Sequence, residues 1–251
     1  MKRPTTTLFA PAKLTLSLRC VGLRSDGLHL IDAEMVTLDL YDELEIDPTG
    51  TGLILEGASS DVVADDDNLV ARALRLAERT AGVRLRKRIP SQAGLGGGSA
   101  DAAAVLRWAR FGNRPGDLQA AAGIGADVAF CLIGGRAQVT GIGEVITPLP
   151  FVAQTFTLLT PPVACPTPAV YRAWDELGGP TNDESPNDLE AAALHVAPEL
   201  ARFRDALGDA TGVRPTLAGS GSSWFVPGSF PGADRAVVRT TPAGWSPTQH
   251  A

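Results

Sequence analysis

Residues 90–103 read Pro-Ser-Gln-Ala-Gly-Leu-Gly-Gly-Gly-Ser-Ala-Asp-Ala-Ala, and this glycine-rich stretch decides how the rest of the chain is interpreted. Over residues 83–89, apolar residues and Lys87 alternate with three arginines, which predicts a half-buried β-strand with a solvated basic face. After the loop, residues 100–110 predict an alanine-rich helix. In such a strand–loop–helix unit, successive backbone N–H groups and the helix N-terminus form a cradle for an anion. The alternative is a tight turn that binds no ligand.

The spacing of this loop excludes two common nucleotide-binding motifs. No Gly-Lys-Ser or Gly-Lys-Thr follows the glycines, so the loop is not a Walker A motif. Ser99 takes the place of the last glycine of a dinucleotide fingerprint, and no acidic residue ends a strand about 20 residues later. The loop therefore predicts anion binding of another kind.

The composition indicates a folded protein of one large domain or two small ones. Of its 251 residues, 44% are apolar and 20% are charged, which excludes a disordered chain. The net charge of −6 argues against a nucleic-acid partner. The three cysteines form no Cys-x-x-Cys pair, so we expect reduced thiols, buried or half-buried, and no zinc site.

The N-terminal residues do not have the pattern of an export signal. Pro11 and Lys13 interrupt the apolar run that a signal peptide needs, and no run approaches the roughly 18 apolar residues of a membrane span. We therefore expect a cytoplasmic protein with no membrane partner, present as a monomer or homodimer.

Hydrophobic periodicity predicts the elements of the first half of the chain. Residues 13–20 alternate between apolar and polar types, which predicts a half-buried strand with Lys13 and Thr15 on its polar face. An amphipathic pattern after the aspartates 65–67 predicts a helix that ends before Gly82.

The composition shifts near residue 150, and the second half has its own pattern. Residues 187–190 resemble a capping box and predict a helix that breaks or kinks at Pro198. Strands are predicted at 223–226 and 236–240. The segment Val226–Arg235 between them holds two prolines and two glycines, so we predict a loop there and no helix.

Five stretches, in chain order, resemble motifs of the GHMP kinases, which include the galactokinase, homoserine, mevalonate and phosphomevalonate kinases. The doubled glycine before Ser99 and the Asp-Ala-Ala after Ala100 are closest to the branch that phosphorylates 4-diphosphocytidyl-2-C-methyl-D-erythritol. The stretches are residues 10–14 (Ala-Pro-Ala-Lys-Leu), 24–29 (Arg-Ser-Asp-Gly-Leu-His), 90–103, 125–127 (Gly-Ala-Asp) with 141–144 (Gly-Ile-Gly-Glu), and 218–222 (Ala-Gly-Ser-Gly-Ser).

This resemblance implies an α+β, two-domain GHMP kinase fold. Residues 1–150 would form an N-terminal domain like ribosomal protein S5 that binds nucleotide and substrate. Residues 151–251 would form a C-terminal GHMP kinase domain, a trimmed version of a ferredoxin-like fold.

The resemblance also implies a function. It is ATP-dependent phosphorylation of the 2-hydroxyl of 4-diphosphocytidyl-2-C-methyl-D-erythritol, a step of the non-mevalonate isoprenoid pathway, with Mg²⁺ as the counter-ion of ATP. One alternative is another small-molecule GHMP kinase, of homoserine or mevalonate type. The other is a non-catalytic binding module with the same fold. The sequence offers no metal-ligand cluster, so no residue is assigned to a metal.

Two residues carry the implied chemistry. By resemblance, Lys13 lies near the transferring phosphate, and Asp127 accepts the proton of the acceptor hydroxyl. An ammonium beside a carboxylate stabilises both the ionised base and the charge that develops on the phosphoryl group. The structural alternatives are a lysine at a strand edge and an aspartate that caps a helix.

The resemblance further implies one set of residues that binds ATP and another that binds the acceptor. Within the acceptor set, cytosine is expected to stack on the aromatic ring of Tyr171. The implied ATP-binding residues are Asn68, Leu69, Lys87, Pro90, Ser91, Gln92, Ala93, Gly94, Leu95, Gly96, Gly97, Gly98, Ser99 and Ala100. The implied acceptor-binding residues are Thr15, Leu28, His29 and Tyr171.

The chain departs from the family pattern in four places. Leu28 stands where the family usually has Tyr, so one stacking partner for cytosine is missing. Thr15 replaces a usual Asn near the catalytic lysine, and Ala129 replaces a Pro. The interval between Val226 and Ala236 is too short for the helix that the family has there, which predicts a trimmed second domain.

Overall fold

The computed structural model describes residues 5–57, 67–112, 114, 116–179 and 185–247. Strands and helices mix along this part of the chain, which agrees with the predicted α+β class. Its strands are β1 (Thr6–Leu23), β2 (His29–Asp47), β3 (Leu53–Gly57), β4 (Gly82–Lys87), β5 (Arg136–Gly141), β6 (Val145–Leu149), β7 (Thr155–Leu159), β8 (Thr216–Leu217), β9 (Trp224–Pro227) and β10 (Ala236–Thr241). Its helices are α1 (Leu69–Leu76), α2 (Gly97–Trp108), α3 (Asp117–Ile124), α4 (Val128–Ile133), α5 (Thr167–Glu176), α6 (Glu190–Val196) and α7 (Leu200–Thr211).

Strand β2 is the centre of the sheet, because its 19 residues pair with four other strands. Strand β1 pairs antiparallel with β2 along almost the whole length of β2. Residues 31–36 of β2 pair with β5, residues 37–38 with β10 and residues 43–47 with β4. The β2 strand therefore links the sheet of the first half to the last strand of the chain.

The predicted strand over residues 13–20 lies within β1, but its polar face is not exposed as the alternation predicts. Lys13 is only 4% exposed and Thr15 only 1%. The pairing register of β1 with β2 shifts between Pro11 and Lys13 and again between Thr15 and Ser17. Such bulges turn side chains away from simple alternation, and the glycine-rich loops cover both polar side chains.

Helix α2 lies in the core of the first half, where seven consecutive residues from Ala100 to Leu106 are buried. Its alanines let it pack closely, because they add little volume between the backbones. The loop that precedes it follows β4, in which Arg84 and Arg86 are exposed and form ion pairs with glutamates of β2 and β3. The predicted strand with a solvated basic face is thus confirmed.

The second half is built on the antiparallel strands β10, β7, β9 and β8, in that order. Its core contains the fully buried Trp224 and an edge-to-face pair of Phe156 and Phe225, with ring centroids 5.6 Å apart. Residues 228–235 between β9 and β10 contain no helix, so the predicted loop is confirmed. Strand β10 pairs with both β7 and β2. The division at residue 150 stays a prediction.

Two helix predictions need correction. Helix α1 ends at Leu76, earlier than predicted, and its N-cap is Asn68; residues 65–66 lie outside the described residues. The predicted capping box forms only in part: the Asn187 Oδ1 accepts from the N–H of Leu189, but Glu190 accepts from the Ser185 hydroxyl and not from the N–H of Asn187. The predicted helix itself begins at Glu190. The break near Pro198 is confirmed, since α6 and α7 are separate helices.

The predicted thiols are confirmed. All three cysteines are free; Cys131 and Cys165 are buried and Cys20 is half-buried. Among the helices of the described residues, none combines the length and the apolar character needed to cross a bilayer.

Candidate active site

The ammonium of Lys13 and the carboxylate of Asp127 form the centre of the site. The Lys13 Nζ lies 3.3 Å from Asp127 Oδ2, and it donates a hydrogen bond of 3.1 Å to the hydroxyl of Thr15. Lys13 comes from β1, whereas Asp127 is the N-cap residue of α4. The Asp127 side chain keeps 28% of its surface exposed, so its carboxylate is accessible to a substrate while the ammonium is enclosed.

The glycine-rich loop approaches this pair so closely that two of its positions have no room for a side chain. An added Cβ at Gly94 would lie 2.1 Å from the carbonyl oxygen of Ala218, and one at Gly96 would lie 2.7 Å from Cγ of Lys13. Both glycines have positive φ, of +73° and +67°, which residues with a Cβ rarely adopt. The backbone N–H of Lys13 donates to the carbonyl of Leu95, which joins the loop to β1.

A cavity of about 640 Å³ lies against this loop. The first turn of α2 borders it, and the N–H groups of a first helical turn have no partner within the helix. Residues of the late glycine-containing loop and of the segment before α5 also line it. The lining residues are Lys13, Asp67, Asn68, Leu69, Lys87, Pro90, Ser91, Gln92, Ala93, Gly94, Gly96, Gly97, Gly98, Ser99, Asp101, Asp127, Cys165, Pro166, Thr167, Ser220 and Gly221.

Most of the predicted ATP-binding residues therefore meet at one cavity, with two exceptions. Leu95 and Ala100 do not line it, and each is 1% exposed because its side chain packs into the core. Only their backbones are near the loop surface. Asn68 lines the cavity while its side chain caps α1 by accepting from the N–H of Val70.

A second cavity, of about 700 Å³, adjoins the first. Five residues line both cavities: Lys13, Ser99, Asp127, Thr167 and Ser220. The second cavity also brings together the four predicted acceptor-binding residues, Thr15, Leu28, His29 and Tyr171. The predicted catalytic pair thus lies where the two cavities meet.

The wall of the second cavity contains a cluster of rings. The ring of His29 stacks on that of Tyr171, with centroids 4.7 Å apart, and forms a T-shaped pair with Trp174 at 5.4 Å. The His29 Nε2 lies 2.8 Å from Asp175 Oδ1. Burial raises the pKa of the Tyr171 phenol, so the ring stays neutral. Leu28 is 46% exposed beside this cluster.

Lys87 occupies the floor of the first cavity and is held by two acidic residues. Its Nζ lies 2.5 Å from Asp42 Oδ2 and 2.7 Å from Asp101 Oδ2. Burial alone would lower the pKa of Lys87, but the carboxylates of Asp101 and Asp42 together raise it. Lys87 is therefore a permanent cation beside the cradle.

Sequence reasoning missed the partners of two predicted residues. Asp175 lies one helical turn after Tyr171, a spacing that places both on one face of α5, and this was the available signal. Asp101 stood out only as a single carboxylate in a run of alanines. Asp42 gave no signal, because it lies in a polar stretch of β2 and meets Lys87 only in the folded chain.

Comparison with known proteins shows which protein family this chain resembles. Residues 68–135 match the family model described as the GHMP kinases N terminal domain. Over 260 residues, covering 94% of this chain and 93% of the relative, the sequence is 38% identical to a 4-diphosphocytidyl-2-C-methyl-D-erythritol kinase of Paracoccus denitrificans. A kinase of the same name from Ruegeria pomeroyi is 36% identical, with 94% and 95% covered.

Solved structures agree with these relatives. A crystal structure of 4-(cytidine 5'-diphospho)-2C-methyl-D-erythritol kinase matches with a TM-score of 0.71 and 31% identity, covering 96% of this chain and 100% of the other. Homoserine kinase from Cytophaga hutchinsonii, with a TM-score of 0.63 and 20% identity, shares the fold. The predicted GHMP kinase fold is therefore confirmed. The chain belongs to the 4-diphosphocytidyl-2-C-methyl-D-erythritol kinase family of the GHMP kinases.

Proposed function

We propose that this chain transfers the γ-phosphoryl group of ATP to the 2-hydroxyl of 4-diphosphocytidyl-2-C-methyl-D-erythritol. The observation that carries the proposal is the junction of two cavities at Lys13 and Asp127, one lined by an anion cradle and the other by aromatic residues. Phosphoryl transfer needs such a junction, since the attacking and leaving groups must be held in line. The names of the relatives supply the identity of the acceptor.

The residues of the first cavity fit a nucleotide polyphosphate. Any side chain at Gly94 or Gly96 would collide with its neighbours, and the unpaired N–H groups at the start of α2 favour an anion. The buried hydroxyl of Ser91, which also lines this cavity, has no hydrogen-bond partner within the described part of the chain, so it can donate to a phosphate. Asn68 and Leu69 would face the adenine.

Mg²⁺ would enter this site with the nucleotide. It is usually held by one or two carboxylates together with substrate phosphates, and when bound it would neutralise part of the phosphate charge. Within residues 5–57, 67–112, 114, 116–179 and 185–247, no three His, Cys, Asp or Glu side chains converge as a metal site. We therefore assign no protein ligand to Mg²⁺.

Asp127 and Lys13 would carry the chemistry. Asp127 accepts the proton of the 2-hydroxyl. As it does so, the hydroxyl oxygen bonds to the γ-phosphorus, and the bond between the γ-phosphorus and the β–γ bridging oxygen breaks, which releases ADP. The Lys13 ammonium has three N–H donors; Thr15 and Asp127 lie within reach of two of them, and the third can stabilise charge on the transferring group. Enclosure of Lys13 strengthens that interaction, because little water screens it.

The second cavity would bind the cytidylyl part of the acceptor. Tyr171 offers a ring face for stacking, and the backbone around His29 offers donors and acceptors for the base edge. Backbone groups do not depend on the side chain at residue 28, so this recognition survives the presence of Leu28 in place of Tyr.

An ADP-release assay with three acceptors tests the proposal. The purified protein is supplied with ATP, Mg²⁺ and either the cytidylyl substrate, homoserine or mevalonate, and we expect ADP release with the first alone. The Asp127→Asn variant, purified by the same procedure and assayed in the same way, controls for contaminating kinases. ADP release with homoserine or mevalonate alone would identify another GHMP kinase. Nucleotide binding without turnover of any acceptor would identify a binding module.

A further inference from the structure

A buried cluster of three charged residues lies under the glycine-rich loop. It consists of Asp42 from β2, Lys87 from the end of β4 and Asp101 from α2, and none of the three is more than 8% exposed. The Lys87 Nζ lies within 2.7 Å of a carboxylate oxygen of each aspartate. The cluster therefore fastens the strand before the loop to the helix after it.

The charges in this cluster do not balance. Two carboxylates share one ammonium, so the cluster has a net charge of −1 when both aspartates are ionised. Asp42 is well satisfied, because its Oδ1 accepts from the backbone N–H groups of Arg88 and Ile89. The Oδ1 of Asp101 is buried and has no hydrogen-bond partner within the described part of the chain. Of the two carboxylates, Asp101 is therefore the one whose negative charge is stabilised less.

The cluster borders the anion cradle. Both Lys87 and Asp101 line the first cavity, and a Cβ added at Gly97, the first residue of α2, would lie 3.2 Å from the Lys87 Nζ. A polyphosphate in the cradle would repel an ionised Asp101 through a medium of low dielectric constant, where such repulsion is strong. Uptake of one proton removes that repulsion and leaves Lys87 and Asp42 as a neutral pair.

We infer that Asp101 is a positioning residue that takes up a proton when nucleotide binds in the cradle, so that nucleotide binding is linked to protonation of the Asp42–Lys87–Asp101 cluster. The inference rests on the proposed function, in that the cradle must be the nucleotide site. By linkage, nucleotide then binds more tightly as the pH falls through the range in which Asp101 titrates.

The surroundings of Asp101 agree with this role. Burial raises its pKa to about 7, the Lys87 charge opposes that rise, and the Asp42 charge adds to it. From α4, the Cys131 thiol is also near, but burial raises its pKa to about 12, so it is neutral. From β1, Lys13 is paired with Asp127. Asp101 is thus a group of the cluster that can change charge near neutral pH.

Isothermal titration calorimetry with Mg²⁺-ADP tests the inference. Titrations in buffers of different ionisation enthalpy, at several pH values from about 6 to about 9, give the number of protons taken up per nucleotide. We expect the wild-type protein to take up a fraction of a proton near neutral pH and its affinity to fall as the pH rises. Asp101→Asn should take up less and show a flatter pH profile. Asp209→Asn, at an exposed position of α7, should match wild type.

The outcomes separate the inference from the proposed site. If nucleotide binds and the wild-type protein takes up no proton at any pH, the inference is wrong. The assignment of the cradle as the nucleotide site is then unaffected. Equal uptake by wild type and Asp101→Asn would also overturn it, since another group would then bind the proton. If Asp101→Asn does not fold, Asp101→Ala replaces it, because it removes the carboxylate without adding a buried polar group, and the same loss of proton uptake is expected. If Mg²⁺-ADP does not bind at all, the proposed nucleotide site itself fails.

Discussion

The imidazole ring of His29 lies against the ring of Tyr171, with centroids 4.7 Å apart and planes inclined by 28°. Asp175, one turn further along α5, lies 2.8 Å from Nε2 of the imidazole, and the ring of Trp174 lies nearly perpendicular to the imidazole at 5.4 Å. No third ring fits between His29 and Tyr171 at this distance. A pyrimidine must therefore stack on the other face of Tyr171 or displace His29.

Replacement of Tyr171 tests whether this ring binds the acceptor. Stacking of a base on an aromatic side chain contributes about 1–3 kcal/mol, which corresponds to roughly 5- to 150-fold in affinity. We expect Tyr171→Ala to raise KM for the acceptor within this range and to leave KM for ATP nearly unchanged, since Tyr171 lines only the second cavity. Steady-state kinetics with each substrate varied in turn measures both constants.

Tyr171→Phe is the matched control, because it keeps the ring and removes only the hydroxyl. It should have nearly the wild-type KM for the acceptor. An unaltered acceptor KM in a folded Tyr171→Ala protein would show that the base binds elsewhere, and the assignment of the second cavity would have to be abandoned.

Replacement of Leu28 by an aromatic residue tests the second cavity by adding a ring instead of removing one. Leu28→Tyr adds a ring at the mouth of the second cavity, where the present side chain is 46% exposed. We expect the acceptor KM to fall or stay the same and turnover to persist. Ile54→Tyr, at a similarly exposed position of β3, controls for a general effect of surface aromatics. Loss of activity in Leu28→Tyr alone would mean that the smaller side chain is needed for the acceptor to enter.

The sequence was sufficient where structure depends on neighbours along the chain. The alternation before residue 90 predicted β4, because solvent meets one face of that strand, where Arg84 and Arg86 pair with acidic residues. The prolines and glycines of residues 226–235 predicted a loop, because they oppose a helix wherever they lie. The glycine-rich loop was predicted for the same local reason.

The site was less predictable where it depends on distant segments. The burial of Lys13 and Thr15 could not be read from alternation, since loops far along the chain cover them. His29 and Asp175 are 146 residues apart, and Lys87 meets Asp42 across 45 residues. Such pairs exist only after the sheet has formed. For Lys87, its position in the buried register of β4 was a local sign that the ammonium needs a partner.

Asp127→Asn tests the general base. A positioned general base contributes about 10²- to 10⁴-fold to turnover, and we expect kcat to fall by that amount. Affinity for nucleotide, measured by direct titration, should persist because the glycine-rich loop is unchanged. Nearly normal turnover in a folded Asp127→Asn protein would remove Asp127 from this role.

Gly96→Ala tests the contact between the loop and the catalytic lysine. The new Cβ would meet Lys13 Cγ at 2.7 Å, and the φ of +67° is unfavourable for alanine. A left-handed conformation costs an L-residue roughly 1–2 kcal/mol, and we expect lowered stability together with a loss of kcat as Lys13 shifts. Gly123→Ala, on α3 with no atom within 4 Å of the added Cβ, should leave urea unfolding and kcat close to wild type. Equal kcat for Gly96→Ala and wild type would contradict the contact.

The burial of Asp101 should also make the free energy of unfolding depend on pH. Burial raises its pKa from 3.8 to about 7, so between these values the folded state binds more protons than the unfolded state. The free energy of unfolding contributed by this group therefore falls as the pH rises through that window. Urea unfolding of wild type and Asp101→Asn at a series of pH values gives the difference, in which the titration of other groups cancels. We expect the stability of wild type relative to Asp101→Asn to decrease from about pH 4 to about pH 7. Asp209→Asn should follow wild type throughout, and parallel profiles for wild type and Asp101→Asn would mean that Asp101 is ionised across the whole range.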